Sequence, residues 1–423
     1  MTQAPRVTTL PNGLRVVSVH MPHLESAAIG IWVDSGARHE VHQMHGISHL
    51  LEHMAFKGTK RRSAMQIAEE IEAVGGHVNA YTSRENTAYF IRVLKNDVPL
   101  AVDILADILQ ESVFDPSELE REQDVVIQEI GQSLDTPDEL IFDRLQESAY
   151  PDQAIGRTIL GTPDSVGGMT PDILRGHMAR NYRAQDMVLS AAGAVDHDAL
   201  VELAQEKFSR LAQSMHRDLP HAHYQGGDAR EVKDLEQVHL VMALEGVTYD
   251  DPDYFASQIF TTVLGEGMSS RLFQEVREKR GLCYSIYAFS SSFVDTGIAG
   301  VYAGTGQDRL GELVPVVIGE MQALAGSVRS DEVARACAQL KAGLLMGLES
   351  PGARCEQMAR HLLIRGRLLT NTELVEKIDS VDVTAVQRYA ERMLNRPKLA
   401  VSALGPITRL ESTAKIAARF GAV

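Results

Sequence analysis

Residues His45 to Thr59 read HGISHLLEHMAFKGT, a helix-forming run of Leu, Met and Phe interrupted by His49, Glu52 and His53. Titratable side chains on an apolar helix cost desolvation energy unless something pairs with them. Spacings of three and four residues put all three on one helix face, with Leu50 and Leu51 on the other side as core anchors. Either the three form a polar stripe toward water, or they converge on an ion. Two imidazoles one turn apart can chelate a single divalent cation. Zinc is the natural candidate, because it accepts nitrogen and oxygen ligands and carries no redox hazard.

Around this stretch the chain has the make-up of a soluble globular protein, with 44% hydrophobic and 23% charged residues. Its 423 residues exceed one ordinary core, so at least two domains are expected. No apolar run is long enough to span a membrane. The start, MTQAPRVTTLPNGLRVV, shows neither a signal peptide nor an Arg-rich transit peptide, so a cytoplasmic location is expected. Cys283, Cys337 and Cys355 are odd in number and irregularly spaced, which argues against a disulfide framework and fits a reducing compartment. The formal charge of −16 disfavours nucleic acid and anionic membranes as partners. It suits a basic peptide substrate, and it also serves solubility alone.

One order of elements is read twice. AAIGIWVDSG is a buried strand, followed by the helix of the opening motif and a helix at SAMQIAEEIEAVGG. HVNAYTS and TAYFIRVL are strands joined by a Ser83–Asn86 turn, and two helices, DVPLAVDILADILQES and DPSELEREQDVVIQEIGQSL, close the unit. In the second half QVHLVMALEG is the strand, DPDYFASQIFTTVLG and SSRLFQEVREKRG the helices, and LCYSIYAFSSS and GIAGVYAGT the strands. RLGELVPVVIGEMQALAG and SDEVARACAQLKAGLLMGLES close it. The expected fold is α+β: two duplicated domains, 1–217 and 218–423, each a mostly antiparallel sheet packed with helices. The boundary falls in a linker with Pro220 and Gly226-Gly227. His216, His221 and His223 crowd that linker, whose flexibility makes poor ligand geometry.

A catalytic zinc needs a third protein ligand and an open position. The helix opened by Asp115 has a cap-like Asp115, Pro116 and Glu118 start, and Leu119, Val126 and Ile130 form its buried stripe. Glu122 and Glu129 lie along its margin, where each read singly is a solvated helix residue and both together suit a cation.

HGISHLLEHMAFKGT resembles the inverted His-x-x-Glu-His zinc motif of the pitrilysin, insulysin and mitochondrial processing peptidase family. REQDVVIQEI resembles the family segment that carries its third ligand, and the likeness runs from LPNGLRVV through KRGLCYSIYAF. It is similar to the short bacterial, processing-peptidase-like members. The resemblance implies one Zn2+ per chain held by His49, His53 and Glu129, with Glu52 exchanging the proton of an activated water and Glu122 supporting from behind. GGHVNAYTSRENTAYF resembles the family's edge strand, which implies that Asn79 and Ala80 bind an extended peptide through the main chain. REKRGLCY resembles the segment whose Arg and Tyr grip substrate, here Arg277 and Tyr284.

The second half lacks a His-x-x-Glu-His string and carries only the Arg–Tyr pair. Since family chambers combine four such domains, the resemblance implies a homodimer with composite sites. The function implied is a zinc metalloendopeptidase acting on peptides or unfolded, presequence-like segments. The alternative is a non-catalytic scaffold subunit of the same fold, which the intact ligand set disfavours. Cys283, with no His in its own stretch, reads as a buried filler and not a nucleophile.

Overall fold

A computed structural model describes residues 4–213 and 219–421. His216 and the expected boundary at 217/218 lie outside the described residues.

The chain opens with strands β1 (Arg6–Thr9), β2 (Arg15–His20) and β3 (Ser26–Val33). Helices α1 (Ile47–Ala55) and α2 (Ala64–Ala73) follow, then β4 (His77–Thr82) and β5 (Thr87–Leu94). α2 is set by a capping box in which Ser63 and Gln66 satisfy each other's backbone amides. Then come α3 (Val98–Gln110), α4 (Pro116–Leu134), α5 (Pro137–Ala149), α6 (Pro163–Gly167), α7 (Pro171–Asn181), β6 (Met187–Gly193) and α8 (His197–Phe208).

The second half repeats the plan with β7 (Gly227–Val232), β8 (Val238–Glu245), α9 (Tyr254–Gly265), β9 (Cys283–Ser292) and β10 (Gly297–Thr305). It continues through α10 (Leu310–Ser327), α11 (Ser330–Gly347), α12 (Pro351–Arg365), α13 (Asn371–Asp379), α14 (Val383–Leu394), β11 (Ala400–Gly405) and α15 (Thr413–Phe420). The helix expected over SSRLFQEVREKRG is π-wound across Phe273–Glu278.

The two sheets share a five-strand order, to which the first adds β1 at its outer edge. One runs β1-β2-β6-β3-β5-β4 and the other β7-β11-β8-β10-β9. Among the described residues each sheet has one parallel pair, β2 with β6 and β7 with β11, and the remaining pairs are antiparallel. The expected α+β duplication is therefore present. β3 is central and buried along seven of its eight residues, so it reads as one apolar run. β4 is an edge strand whose exposure alternates at its start.

Each sheet belongs to a compact unit assembled from separated segments. Unit 1 takes Met1–Gln132, Arg157–Leu219 and Met346–Leu368, and unit 2 takes Ser133–Gly156, Pro220–Leu345 and Leu369–Val423. α5 from the first half thus belongs to unit 2, and α12 from the second half to unit 1.

In unit 1 one sheet face packs on α1, α3 and α4 through Ile29, Ile31, Leu50, Leu51, Ile104 and Val126. The opposite face, with Val17, Val19, Trp32 and Val188, is covered by Cys355, Met358, Ala359 and Leu362 of α12. Ser190 Oγ donates to the Cys355 carbonyl at 2.7 Å, and Cys355 Sγ donates to the Ser190 carbonyl at 3.0 Å. In unit 2, Leu140, Ile141, Leu145 and Ala149 of α5 cover the equivalent face beside Val241, Ala243, Ala400 and Leu404.

Candidate metal centre

α1 presents its apolar side, Ile47, Leu50, Leu51 and Met54, to the core of unit 1 with no solvent exposure. That seating turns His49, Glu52 and His53 outward. α4 buries Leu119, Val126 and Ile130, as the sequence pattern requires, and its flank carries Glu122 and Glu129 against the two imidazoles.

Glu129 Oε2 lies 3.6 Å from His49 Nε2 and 3.6 Å from His53 Nε2, and one ligand atom from each residue falls within 4.8 Å of the others. At 3.6 Å neither contact is a good hydrogen bond. Two ligands about 2.1 Å from a shared tetrahedral ion stand about 3.4 Å apart, so the spacing suits ligands of one cation.

The protonation chemistry agrees. His53 Nδ1 faces Glu122 Oε2 at 3.0 Å. With that nitrogen as donor to the carboxylate, the Nε2 lone pair points at Glu129. His49 is held neutral at ordinary pH, its pKa lowered to about 4 by burial and then by the neighbouring His53. Electron-rich atoms thus face one another, an arrangement that a divalent cation resolves. His49 Nδ1 is buried without a hydrogen-bond partner, so this ring is oriented by packing and by its edge-on contact with His53, ring centroids 4.6 Å apart. The residues present fit zinc.

Two further residues, Lys57 and Thr82, complete the cluster. Lys57 Nζ meets Glu122 Oε1 at 2.6 Å, one turn beyond His53. Burial pushes the Glu122 carboxyl upward, but Lys57 and then His53 outweigh it and keep the group below its ordinary range. Thr82 Oγ1, at the end of β4, donates to Glu52 Oε2 at 2.6 Å. Glu52 is nevertheless raised above its ordinary pKa, chiefly by burial. Burial therefore makes this carboxylate a stronger proton acceptor than an exposed one.

Asn79 and Ala80 lie on β4 in the same unit. β4 pairs with β5 on one side, and among the described residues no strand lies along its other edge. Asn79 is exposed and its Oδ1 accepts the Ala80 amide at 2.8 Å.

Arg277 and Tyr284 come together in unit 2. The Arg277 guanidinium sits 4.7 Å from the Phe273 ring centroid and 4.9 Å from that of Tyr284. Tyr284 is 76% exposed, an unusual setting for a large aromatic side chain.

Lys57, Thr82 and Phe273 were absent from the sequence reading. Lys57 lies just past the end of α1, outside the helical spacing that ties His49, Glu52 and His53 together. Thr82 had no local signal, because it meets Glu52 only once β4 pairs beside α1. Burial pushes the Cys283 thiol up to about 11, which suits the filler reading.

Residues 15–163 match the family described as Insulinase (Peptidase family M16), and residues 168–340 match the Peptidase M16 inactive domain. The chain belongs to peptidase family M16. This M16 chain is 38% identical over 390 residues to an uncharacterized zinc protease of Rickettsia felis, covering 92% of its own length and 95% of the relative. It is also 38% identical to a probable mitochondrial-processing peptidase subunit beta of Arabidopsis thaliana, over 96% of this chain and 79% of that one. A protease from Helicobacter pylori shares the fold at a TM-score of 0.88 and 22% identity, over 95% of this chain and 99% of the other. The second matched description agrees with the absence of a His-x-x-Glu-His string from the second half.

Proposed function

We propose that this M16 chain is a zinc-dependent metalloendopeptidase that cleaves extended peptides or unfolded, presequence-like segments. The observation that carries the reading is the convergence of His49 Nε2, His53 Nε2 and a Glu129 carboxylate oxygen from two helices, with Glu52 beside them on α1. When bound there, zinc supplies Lewis acidity and lowers the pKa of water.

The chain's own residues perform the rest. Glu52 takes the proton of the attacking water on its free oxygen and passes it to the leaving amine, while Thr82 fixes the other oxygen. Glu122, itself held by Lys57, keeps the His53 proton on Nδ1 and the ring in position. The open edge of β4 takes the substrate as an added strand at Asn79 and Ala80, which reads main chain more than side chains. Arg277 and Tyr284 supply carbonyl and oxyanion contacts to substrate. Because one chain carries both the ligand set and the Arg–Tyr pair, the working form is a homodimer enclosing a chamber. The excess of acidic residues favours basic peptides. The processing-peptidase relatives support this substrate class.

Incubation of the purified protein with a basic, presequence-like peptide, with and without chelator, tests the reading alongside metal content and mass in solution. Chelator-sensitive cleavage, one zinc per chain and a dimeric mass are expected. Bound zinc without cleavage would leave a peptide-binding module, and a zinc-free inert protein would leave a scaffold subunit.

A further inference from the structure

α1 begins without a cap of its own. The residue before its first turn is Gly46, at φ +89° and with no side chain to offer. The amides at a helix start need acceptors. Glu40, six residues upstream and 5% exposed, receives two of them: Oε2 accepts from Gly46 N and Oε1 from Ser48 N, each at 2.8 Å.

The remaining contacts lock the same point. A Cβ on Gly46 would stand 2.6 Å from the Leu160 carbonyl oxygen, and one on Gly161 2.5 Å from that of His45, so the two backbones touch through paired glycines. The His45 ring bonds the Thr158 carbonyl at 2.7 Å, and Ser165 Oγ donates to the His45 carbonyl at 2.7 Å. The Arg157 guanidinium donates to the Glu40 carbonyl.

Glu40 belongs to a segment that also grips the turn after β4. Arg38 pairs with Glu85 at 2.7 Å, and the amides of Ala37 and Arg38 donate to the carbonyls of Ser83 at 3.1 Å and Arg84 at 2.8 Å. The start of α1, which carries His49 and Glu52, and the end of β4, which carries Thr82, therefore hang on residues 37–40.

We infer that Glu40 is a positioning residue: its carboxylate acts as a remote N-cap that sets the direction of His49 and Glu52 relative to β4. Its consequence for turnover rests on the hydrolytic reading, but the cap can be tested separately. Both oxygens accept, so Glu40→Gln loses one bond and turns an N–H toward an amide donor. Glu40→Asp keeps the charge but falls one methylene short.

The test is amide hydrogen exchange at residues 46–48, together with zinc affinity measured against a chromophoric chelator. Ser63→Ala, which uncaps the adjacent α2, is the control for a purely structural loss. Glu40→Gln is expected to speed exchange at Gly46 and Ser48, weaken zinc binding about tenfold or more, and lower kcat with KM nearly unchanged. Glu40→Asp should fall between, and it carries the comparison if Glu40→Gln does not fold. Ser63→Ala should lower the melting temperature and leave zinc affinity alone. Wild-type exchange and zinc affinity in both Glu40 variants would overturn the inference, as would an equal zinc loss in Ser63→Ala. A wild-type protein that holds no zinc and cleaves nothing would instead overturn the hydrolytic reading, with exchange at 46–48 still deciding the role of Glu40.

Discussion

In unit 1, the helix after central strand β3 turns two imidazoles and a carboxylate away from the core. In unit 2, the helix after β8 has Ile259, Phe260, Val263 and Leu264 buried, and its hydroxyls bond inward, Thr261 to the Ser257 carbonyl at 2.9 Å. The long closing helices differ in the same way. With the first-turn residues Glu118 and Glu332 aligned, Ala336 and Gly343 of α11 stand where Glu122 and Glu129 stand on α4. The buried carboxylate kept by α11 is Glu332, which takes a two-pronged Arg271 guanidinium at 2.8 and 2.9 Å and the Arg329 amide at 2.9 Å. One sheet topology thus supports two solutions to a buried carboxylate. In unit 2 a guanidinium neutralises it, whereas in unit 1 Glu122 meets Lys57 and His53, and Glu129 faces two nitrogen lone pairs.

The comparison can be broken most sharply at Glu52. Glu52→Gln should retain zinc, measured by elemental analysis, and lose about 10³-fold in kcat on a peptide substrate. Retained activity would remove the proton-transfer role.

Next in size is a pair of stability changes. Glu332→Gln removes the buried carboxylate that pairs with the largely covered Arg271 guanidinium, so about 3–5 kcal/mol of unfolding free energy should be lost in urea, with zinc content unaffected. Leu362→Ala opens a cavity under the sheet of unit 1 and should cost about 2–5 kcal/mol. A chain ending before α12 should aggregate, because Val17, Val19, Trp32 and Val188 would lose their cover.

Glu122→Gln should do the reverse of Glu332→Gln. Zinc affinity should fall about 10–100-fold by chelator competition, with a smaller loss of stability. If both variants changed stability alone, the distinction between the two units would be lost.

The last effect concerns pH and is confined to the metal-free protein. In chelator-stripped protein His49 titrates near 4 when folded, below an unfolded imidazole near 6.5. The unfolded chain binds more protons in that interval, so this group's contribution to stability is present above about 6.5 and lost as pH falls toward 4. It amounts to about 3 kcal/mol over that window. The difference in stability between wild type and His49→Gln should change across it and be flat above pH 7.

The ligand set was legible because a helix writes its geometry into local spacing: three and four residues fix His49, Glu52 and His53 on one face. Glu129 was not legible from periodicity alone, since two helices meet only through tertiary packing, and family resemblance supplied that link. β1, β2, β6, β7 and β11 were missed as strands. β2 pairs with β6 and β7 with β11 across long sequence separations, and no hairpin signal marks either pairing. β1 and β2, by contrast, form a hairpin over the Asn12-Gly13 turn, whose signal was passed over.

By itself the sequence determined the duplicated order of helices and strands and the side chains able to bind a cation, because propensity, periodicity and donor chemistry are local properties. Tertiary structure alone decided that α5 and α12 change units, that Thr82 and Lys57 join the cluster, and that Glu40 caps a helix it does not belong to. These depend on which apolar faces and unpaired amides find partners far along the chain. Burial and hydrogen-bond satisfaction are settled only when the whole fold closes.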